Sequence, residues 1–246
     1  MGSKSEMRLG YGSEFQLLRF LGHHRLELED AIRKQTGIEG SLTWFDFPRD
    51  QSKNPQSSLD TEYMGIEFLK DMANYEKLEK NWKEYWAWKS LYWDGIILNI
   101  NKTSWQYILV EAKAHLEELE SDTQAENEQS ITKINKAFDA TKKRFNISTS
   151  NDWSKCYYQA ANRLAFINFM LDNGLKASLL NIYFINGWKK RDLNRARATP
   201  NGTRPIREDK SVKTEGEWKE KINEQYAYLN FNSNAKKCIH EVFLEC

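Results

Sequence analysis

The sequence is poor in cysteine and proline, and it contains no long hydrophobic run. Its 246 residues include only three Cys and four Pro, and three scattered cysteines are too few for a disulfide framework or a structural zinc site. No apolar stretch approaches the about 18 residues that a membrane span needs. These absences predict a cytoplasmic protein with reduced thiols and no membrane partner.

Several catalytic motifs are also missing. No Gly-rich phosphate loop precedes a Lys-Ser or Lys-Thr pair, and Gly10 and Gly12 lack the third glycine and the preceding strand of a dinucleotide fold. Neither a Gly-x-Ser-x-Gly elbow nor a His-Glu-x-x-His pair is present. Cys156 lies on a predicted amphipathic helix and is interpreted as a core thiol rather than a nucleophile.

Charge is balanced overall but uneven along the chain. The net charge is +1, so it does not by itself indicate a polyanionic partner. Residues 187–213, however, carry nine Lys or Arg, Lys189, Lys190 and Arg191 among them, against three acids. Proline and glycine mark this segment as a loop. We predict a basic loop insertion that contacts phosphates, with a merely solvated insertion as the alternative.

The most informative stretch is a predicted β-hairpin. Residues 91–100 and 105–114 are rich in Ile, Leu, Val, Trp and Tyr, and a short polar link joins them. A turn centred between Lys102 and Thr103 places Asp94 opposite Glu111. Because side chains alternate between faces, Lys113 shares their face. Charged groups are expensive to bury in apolar strands, so this patch is a candidate functional site.

This arrangement resembles the PD-(D/E)xK nuclease superfamily, in which an Asp on one strand and a Glu-x-Lys on the next hold a divalent metal. Trp93 stands where the family name has Pro. The resemblance implies that Asp94, Glu111 and Lys113 are catalytic, and that Asp94, Glu111 and the Ala112 carbonyl bind Mg²⁺ or Mn²⁺. Oxygen ligands suit these ions better than zinc.

The resemblance also implies contributions from two helices. Glu14, in the first turn of a predicted helix, is the candidate for a further metal ligand, with a helix-dipole acid as the alternative. Gln159 is the candidate for the family's polar residue on the helix after the Glu-x-Lys strand. Arg163 lies one turn from Gln159, and with Lys155 it is expected to contact substrate phosphate; a solvated flank is the alternative.

The hydrophobic pattern predicts one α/β domain over residues 1–246, with a flexible segment at 1–12. We predict a mixed central sheet flanked by helices, which the resemblance identifies as restriction-endonuclease-like. The predicted helices cover 13–35, 60–86, 129–145, 152–172 and 215–231. The predicted strands cover 42–47, 91–100, 105–114, 176–186 and 239–244, and the fourth is an interior strand because it is almost continuously apolar.

The function implied is Mg²⁺-dependent hydrolysis of phosphodiester bonds in nucleic acid, with DNA expected ahead of RNA. The alternative is a non-catalytic module of the same fold that binds nucleic acid or a protein. The sequence leaves monomer and dimer open. Because two facing carboxylates repel each other, neither Asp94→Asn nor Glu111→Gln is expected to destabilise the metal-free protein.

Overall fold

The computed structural model of the protein describes residues 12–47, 61–87, 91–187 and 211–246, and it centres on a mixed sheet. Five strands lie in the order β1-β4-β5-β6-β7, and β2 and β3 form a separate antiparallel pair. The strands are β1 Ser41–Trp44, β2 Tyr63–Met64, β3 Tyr92–Trp93, β4 Gly95–Ile100, β5 Trp105–Lys113, β6 Ala177–Ile185 and β7 Ile239–Glu245. Strand β4 is antiparallel to both of its neighbours, β1 and β5, whereas β5, β6 and β7 run parallel. The predicted α/β class with a mixed sheet is confirmed.

The hairpin forms with the predicted register. Gly95 pairs with Val110 and Ile100 with Trp105. The link is closed by Asn101, whose side-chain oxygen accepts hydrogen bonds from the backbone N–H of Thr103 at 3.1 Å and of Ser104 at 2.8 Å. A short side-chain-to-backbone turn of this kind leaves little freedom to slip.

Helices cover both faces of the sheet. They are α1 Ser13–His23, α2 Arg25–Thr36, α3 Tyr75–Tyr85, α4 Glu128–Phe145, α5 Tyr158–Asp172, α6 Glu215–Leu229 and α7 Ser233–Lys236. On one face, α1 and α2 pack through Leu17, Phe20 and Leu28 in one apolar cluster. On the other face, α3 to α7 contribute to a larger cluster. The sheet is therefore buried between two helical layers.

Helix α5 is the crossover between the parallel strands β5 and β6 and lies deep in the larger cluster. Every residue from Ala161 to Met170 is buried, and these ten consecutive positions cover all sides of the helix. A helix buried on nearly all sides has no wide solvated face. Polar side chains on α5 must therefore find partners inside the protein.

The predicted helix over 60–86 is wrong in its first half. Residues 63–64 form β2, which pairs with β3, and the α-helix begins only at Tyr75. Gly65 adopts a φ of +53°, and a Cβ at this position would lie only 2.9 Å from Trp82 Nε1. The apolar residues of this region do join the larger apolar cluster, but a strand, a 3₁₀ turn and a helix contribute them in succession.

Two other helices differ from their predicted bounds. The predicted helix over 13–35 is divided at His24, whose φ of −129° and ψ of 31° are not helical. The predicted helix over 152–172 begins at Tyr158, because Cys156 has a φ of +60°. Cys156 is exposed, so its interpretation as a core thiol is wrong. No helix among the described residues has the length and hydropathy to cross a membrane.

Candidate functional site: an ion cluster at the end of strand β5

Strand β5 changes character along one of its faces. Tyr107 and Leu109 belong to the larger apolar cluster, and the next two residues on the same face are Glu111 and Lys113. Both charged side chains are buried: Glu111 is 5% exposed and Lys113 is 8% exposed. A buried carboxylate and a buried ammonium require compensating partners.

Three residues donate hydrogen bonds to the two carboxylate oxygens of Glu111, and a further cationic nitrogen lies close to one of them. Lys113 Nζ lies 2.6 Å and Gln159 Nε2 lies 2.7 Å from Glu111 Oε1. Arg163 places Nε at 2.8 Å and Nη2 at 2.7 Å from Glu111 Oε2. A carboxylate offers about four lone-pair positions. The two positions on Oε1 are thus occupied by Lys113 and Gln159, and Oε2 faces the Arg163 guanidinium.

Arg163 also connects β3 to this cluster. Its Nη2 donates to the Tyr92 carbonyl at 2.7 Å, and its Nη1 donates to Asn162 Oδ1 at 3.1 Å. The guanidinium lies over the Trp93 ring at 4.5 Å from the centroid, a favourable cation–π arrangement. Arg163 is therefore held by Glu111, by β3 and by its own helix.

Asp94 occupies the bend between β3 and β4 and is half-buried. Its Oδ2 accepts a hydrogen bond of 2.7 Å from the backbone N–H of Ala112. This bond continues the pairing of β5 at the point where β4 has ended. A strand residue directs its N–H and C=O to the same neighbour, so we expect the Ala112 carbonyl to face the Asp94 side as well.

The electrostatics of the three charged residues differ. Burial and the neighbouring charge of Glu111 raise the pKa of Asp94 well above its usual value, although Lys113 opposes the shift. Burial alone would raise the pKa of Glu111, but Arg163 and Lys113 outweigh it and hold that pKa below its usual value. For Lys113, burial acts to lower the pKa, and the charges of Glu111 and Asp94 raise it overall. Glu111 and Lys113 are therefore charged at neutral pH, and Asp94 is the acid whose charge is disfavoured.

The donor set fits a hard cation by type but is small. Asp94 and Glu111 supply carboxylate oxygens and Ala112 a carbonyl oxygen, which are the ligands that Mg²⁺ and Mn²⁺ prefer. Within the described parts of the chain, no three His, Cys, Asp or Glu side chains form a metal-binding group. Within the part of the chain that the structure describes, a metal here would be held by the carboxylates of Asp94 and Glu111, and Glu111 already accepts hydrogen bonds from Lys113, Gln159 and Arg163.

Polar residues that were not predicted from the sequence continue the cluster across the sheet. Asn181 on β6 pairs in register with Glu111 on one side and with Glu241 on the other. Tyr226 donates to Glu241 Oε1 at 2.5 Å. A narrow cleft over this row is lined by Glu111, Lys113, Gln159, Arg163, Asn181 and Tyr226, among others. The only sequence signal was Asn181 itself, the one strongly polar residue well inside the apolar strand β6.

The remaining predicted site residues lie elsewhere. Glu14 is half-buried in the first turn of α1, and α1 packs on the opposite face of the sheet from Glu111; its role as a ligand stays a prediction. Lys155 precedes α5, is exposed, and pairs with Asp122 at 3.7 Å. The predicted phosphate contacts Lys189, Lys190 and Arg191 lie outside the described residues.

Comparison of the chain with protein-family models, with curated proteins and with solved structures gives no significant match. The functional interpretation rests on the geometry of this site and on the residues that form it.

Proposed function

We propose that the protein hydrolyses phosphodiester bonds of nucleic acid with a divalent metal, as a nuclease of the PD-(D/E)xK type. One observation carries the proposal: Asp94, Glu111 and Lys113 meet at the end of β5, and Gln159 from the following helix reaches the same carboxylate. The resemblance in sequence requires this convergence, and the four residues come from three separate elements.

The architecture supports the same proposal. The Glu-x-Lys strand β5 lies in the interior of a mixed sheet, with β4 antiparallel on one side and β6 parallel on the other. The crossover helix α5 connects β5 to β6 and brings Gln159 and Arg163 over the end of β5. A restriction-endonuclease-like fold is part of this proposal.

The chain's own residues would act as follows. Asp94, Glu111 and the Ala112 carbonyl would hold Mg²⁺ or Mn²⁺, which when bound supplies a water of lowered pKa and offsets charge on the phosphate. Lys113, whose pKa is raised by its acidic neighbours, keeps its proton and stabilises the charge that develops on the reacting phosphate. Arg163 is buried and fixed between Glu111 and Tyr92, which suits positioning Glu111 better than contacting the nucleic acid.

A second candidate function is a nuclease-like module that binds nucleic acid or a protein without cleaving. The hydrogen bonds that Glu111 accepts from Lys113, Gln159 and Arg163 favour this alternative, because they satisfy most of its acceptor positions without a metal. Such a carboxylate can serve as the centre of a structural ion cluster. A module of this kind retains a binding surface but requires no metal.

Cleavage assays separate the two. We expect the wild-type chain to cleave DNA when Mg²⁺ or Mn²⁺ is added, and Asp94→Asn and Lys113→Met to lose at least about a hundredfold in rate, as expected when a group that stabilises the transition state is removed. Glu241→Gln is the matched control, because Glu241 is an acid on the same face but bonds Tyr226. Single- and double-stranded DNA and RNA should all be offered. Binding without cleavage on every substrate would establish the module instead.

The predicted basic loop gives an independent test of the nucleic-acid partner. Neutralising Lys189, Lys190 and Arg191 together should weaken binding at every sequence, since phosphate contacts carry no base information. It should also flatten the salt dependence by about 0.9 in slope for each duplex phosphate that the loop no longer neutralises. Lys113→Met should leave that slope unchanged. An unchanged slope in the triple variant would exclude the loop as the phosphate-binding surface.

A further inference from the structure

We infer that Gln159 gates the metal site by occupying the position on Glu111 that a metal ion must take. The inference rests on the proposed function, since it concerns how the proposed metal reaches its ligands. It adds that, in the metal-free protein, the Gln159 side chain closes the site. A metal can reach Glu111 only if one of the donors around this carboxylate can leave.

Both lone-pair positions on Glu111 Oε1 are in use, since this oxygen accepts from Lys113 and from Gln159. Oε2 accepts from Arg163 Nε, and the cationic Nη2 of Arg163 lies 2.7 Å from the same oxygen. A metal ion therefore cannot coordinate Oε1 unless Lys113 or Gln159 is displaced, and on the Oε2 side it would meet the Arg163 guanidinium.

Two of the three donor residues are poorly suited to leave. Arg163 is 5% exposed and is also bonded to the Tyr92 carbonyl and to Asn162. Lys113 is 8% exposed and lies in the field of both Glu111 and Asp94. Moving either one separates a buried cation from its acidic partner, and buried charges without a partner are strongly disfavoured.

Gln159 can leave at a much smaller loss. Its amide is neutral, and the residue is half-buried beside the cleft, in the first turn of α5. Displacement exchanges one hydrogen bond for solvation of the amide, while the backbone N–H of Gln159 stays anchored to Ser121 Oγ at 2.8 Å. Rotation of this side chain therefore frees a lone-pair position on Oε1 without moving the helix or unpairing a charge.

The inference predicts that removing the amide improves metal binding. Mn²⁺ titration of the metal-free chain, followed by calorimetry and by the electron paramagnetic resonance of free Mn²⁺, should show about tenfold tighter binding for Gln159→Met than for the wild type. A hydrogen bond to a charged group corresponds to about this factor. Gln159→Leu serves as the second variant, and both should be compared with the wild type for correct folding. A residue with a merely structural role would weaken binding or leave it unchanged.

Gln225→Met is the matched control. Gln225 lines the same cleft, is 3% exposed, and donates to the Leu119 carbonyl at 3.4 Å. It should leave the Mn²⁺ affinity at the wild-type value. Adding Asp94→Asn to Gln159→Met should abolish the gain, which places the bound ion at this site.

The outcomes separate the gate from the proposed function. Wild-type binding with equal or weaker binding in both Gln159 variants overturns the gate and leaves the metal site standing. Tighter binding in the Gln159 variants without cleavage of any substrate supports the gate and removes the nuclease activity. No Mn²⁺ binding by the wild type or by either variant overturns both.

Discussion

The two faces of strand β5 are almost equally buried, yet the side chains on them differ in chemistry. Towards α1 and α2 the strand presents Ile108, Val110 and Ala112, all 0% or 1% exposed. Towards α5 and α6 it presents Leu109, then Glu111 and Lys113. The charged pair occurs on the face where a helix supplies a guanidinium and an amide. A buried charge in a central strand is therefore tolerated only where the opposite layer provides its partners.

The largest effect should come from breaking the ion cluster on the charged face. Glu111→Gln removes the carboxylate that Arg163 and Lys113 both contact, and removal of one partner of a buried pair lowers the free energy of unfolding by about 3–5 kcal/mol. In a chain of this length that corresponds to a fall in melting temperature of about 10 °C. Thermal and urea unfolding of the metal-free protein would measure it.

Ile108→Val on the apolar face is the control, and it should reduce the stability by only about 0.5–1.5 kcal/mol. Arg163→Met combined with Glu111→Gln should be less destabilised than the sum of the single variants, since the two residues interact. If Glu111→Gln is no more harmful than Ile108→Val, the cluster is not structural. In that case the sequence-based prediction is correct that Glu111→Gln does not destabilise the metal-free protein.

That expectation considered only what the hairpin itself contains. Alternation and the short polar turn were enough to predict the register of the hairpin and the shared face of Glu111 and Lys113, because the period of a strand is two and the turn fixes the register. They could not reveal Arg163, which is 52 residues from Glu111 in sequence. The amphipathic pattern placed Gln159 and Arg163 on one side of α5, but a single sequence does not show which strand that side meets.

The same limit explains the errors in the helices. Over 60–86 the apolar spacing fits a helix, but Gly65 with its positive φ and the pairing of β2 with β3 override it. At Cys156 the left-handed backbone delays the start of α5, although Trp153 still reaches the core from the preceding turn. In both places a tertiary contact decides the local structure, and such contacts are not visible in periodicity.

A smaller effect, of opposite sign, is expected for the second acid of the charged face. Because the pKa of Asp94 is raised in the folded protein, its favourable contribution is present at low pH and is lost as the pH rises through the folded pKa. Asp94→Asn keeps the acceptor for the Ala112 N–H and removes the charge. It should match the wild type near pH 3 and be about 0.2–1 kcal/mol more stable at pH 7 in the absence of metal.

Unfolding of Asp94→Asn and wild type in urea over this pH range tests the difference between the two acids. Glu111 should be needed for stability, whereas Asp94 should oppose it until a cation is present. A loss of stability in Asp94→Asn at neutral pH would show that both acids belong to one structural cluster, and the contrast between them would disappear.

The smallest effect on stability should come from the opposite face of the sheet, where β5 carries no charged side chain. His240 on β7 lies on the same side of the sheet as Val242 and Leu244, and burial lowers its pKa below the usual 6.5. The unfolded chain therefore binds a proton more readily than the folded one, so stability is fully present above about pH 6.5 and declines as the pH falls below it. His240→Gln should remove this part of the pH dependence while leaving the stability at pH 8 close to that of the wild type. Urea unfolding at pH 5 and pH 8 measures the change. An identical pH dependence in the variant and the wild type would mean that protonating His240 costs no more in the folded protein than in water.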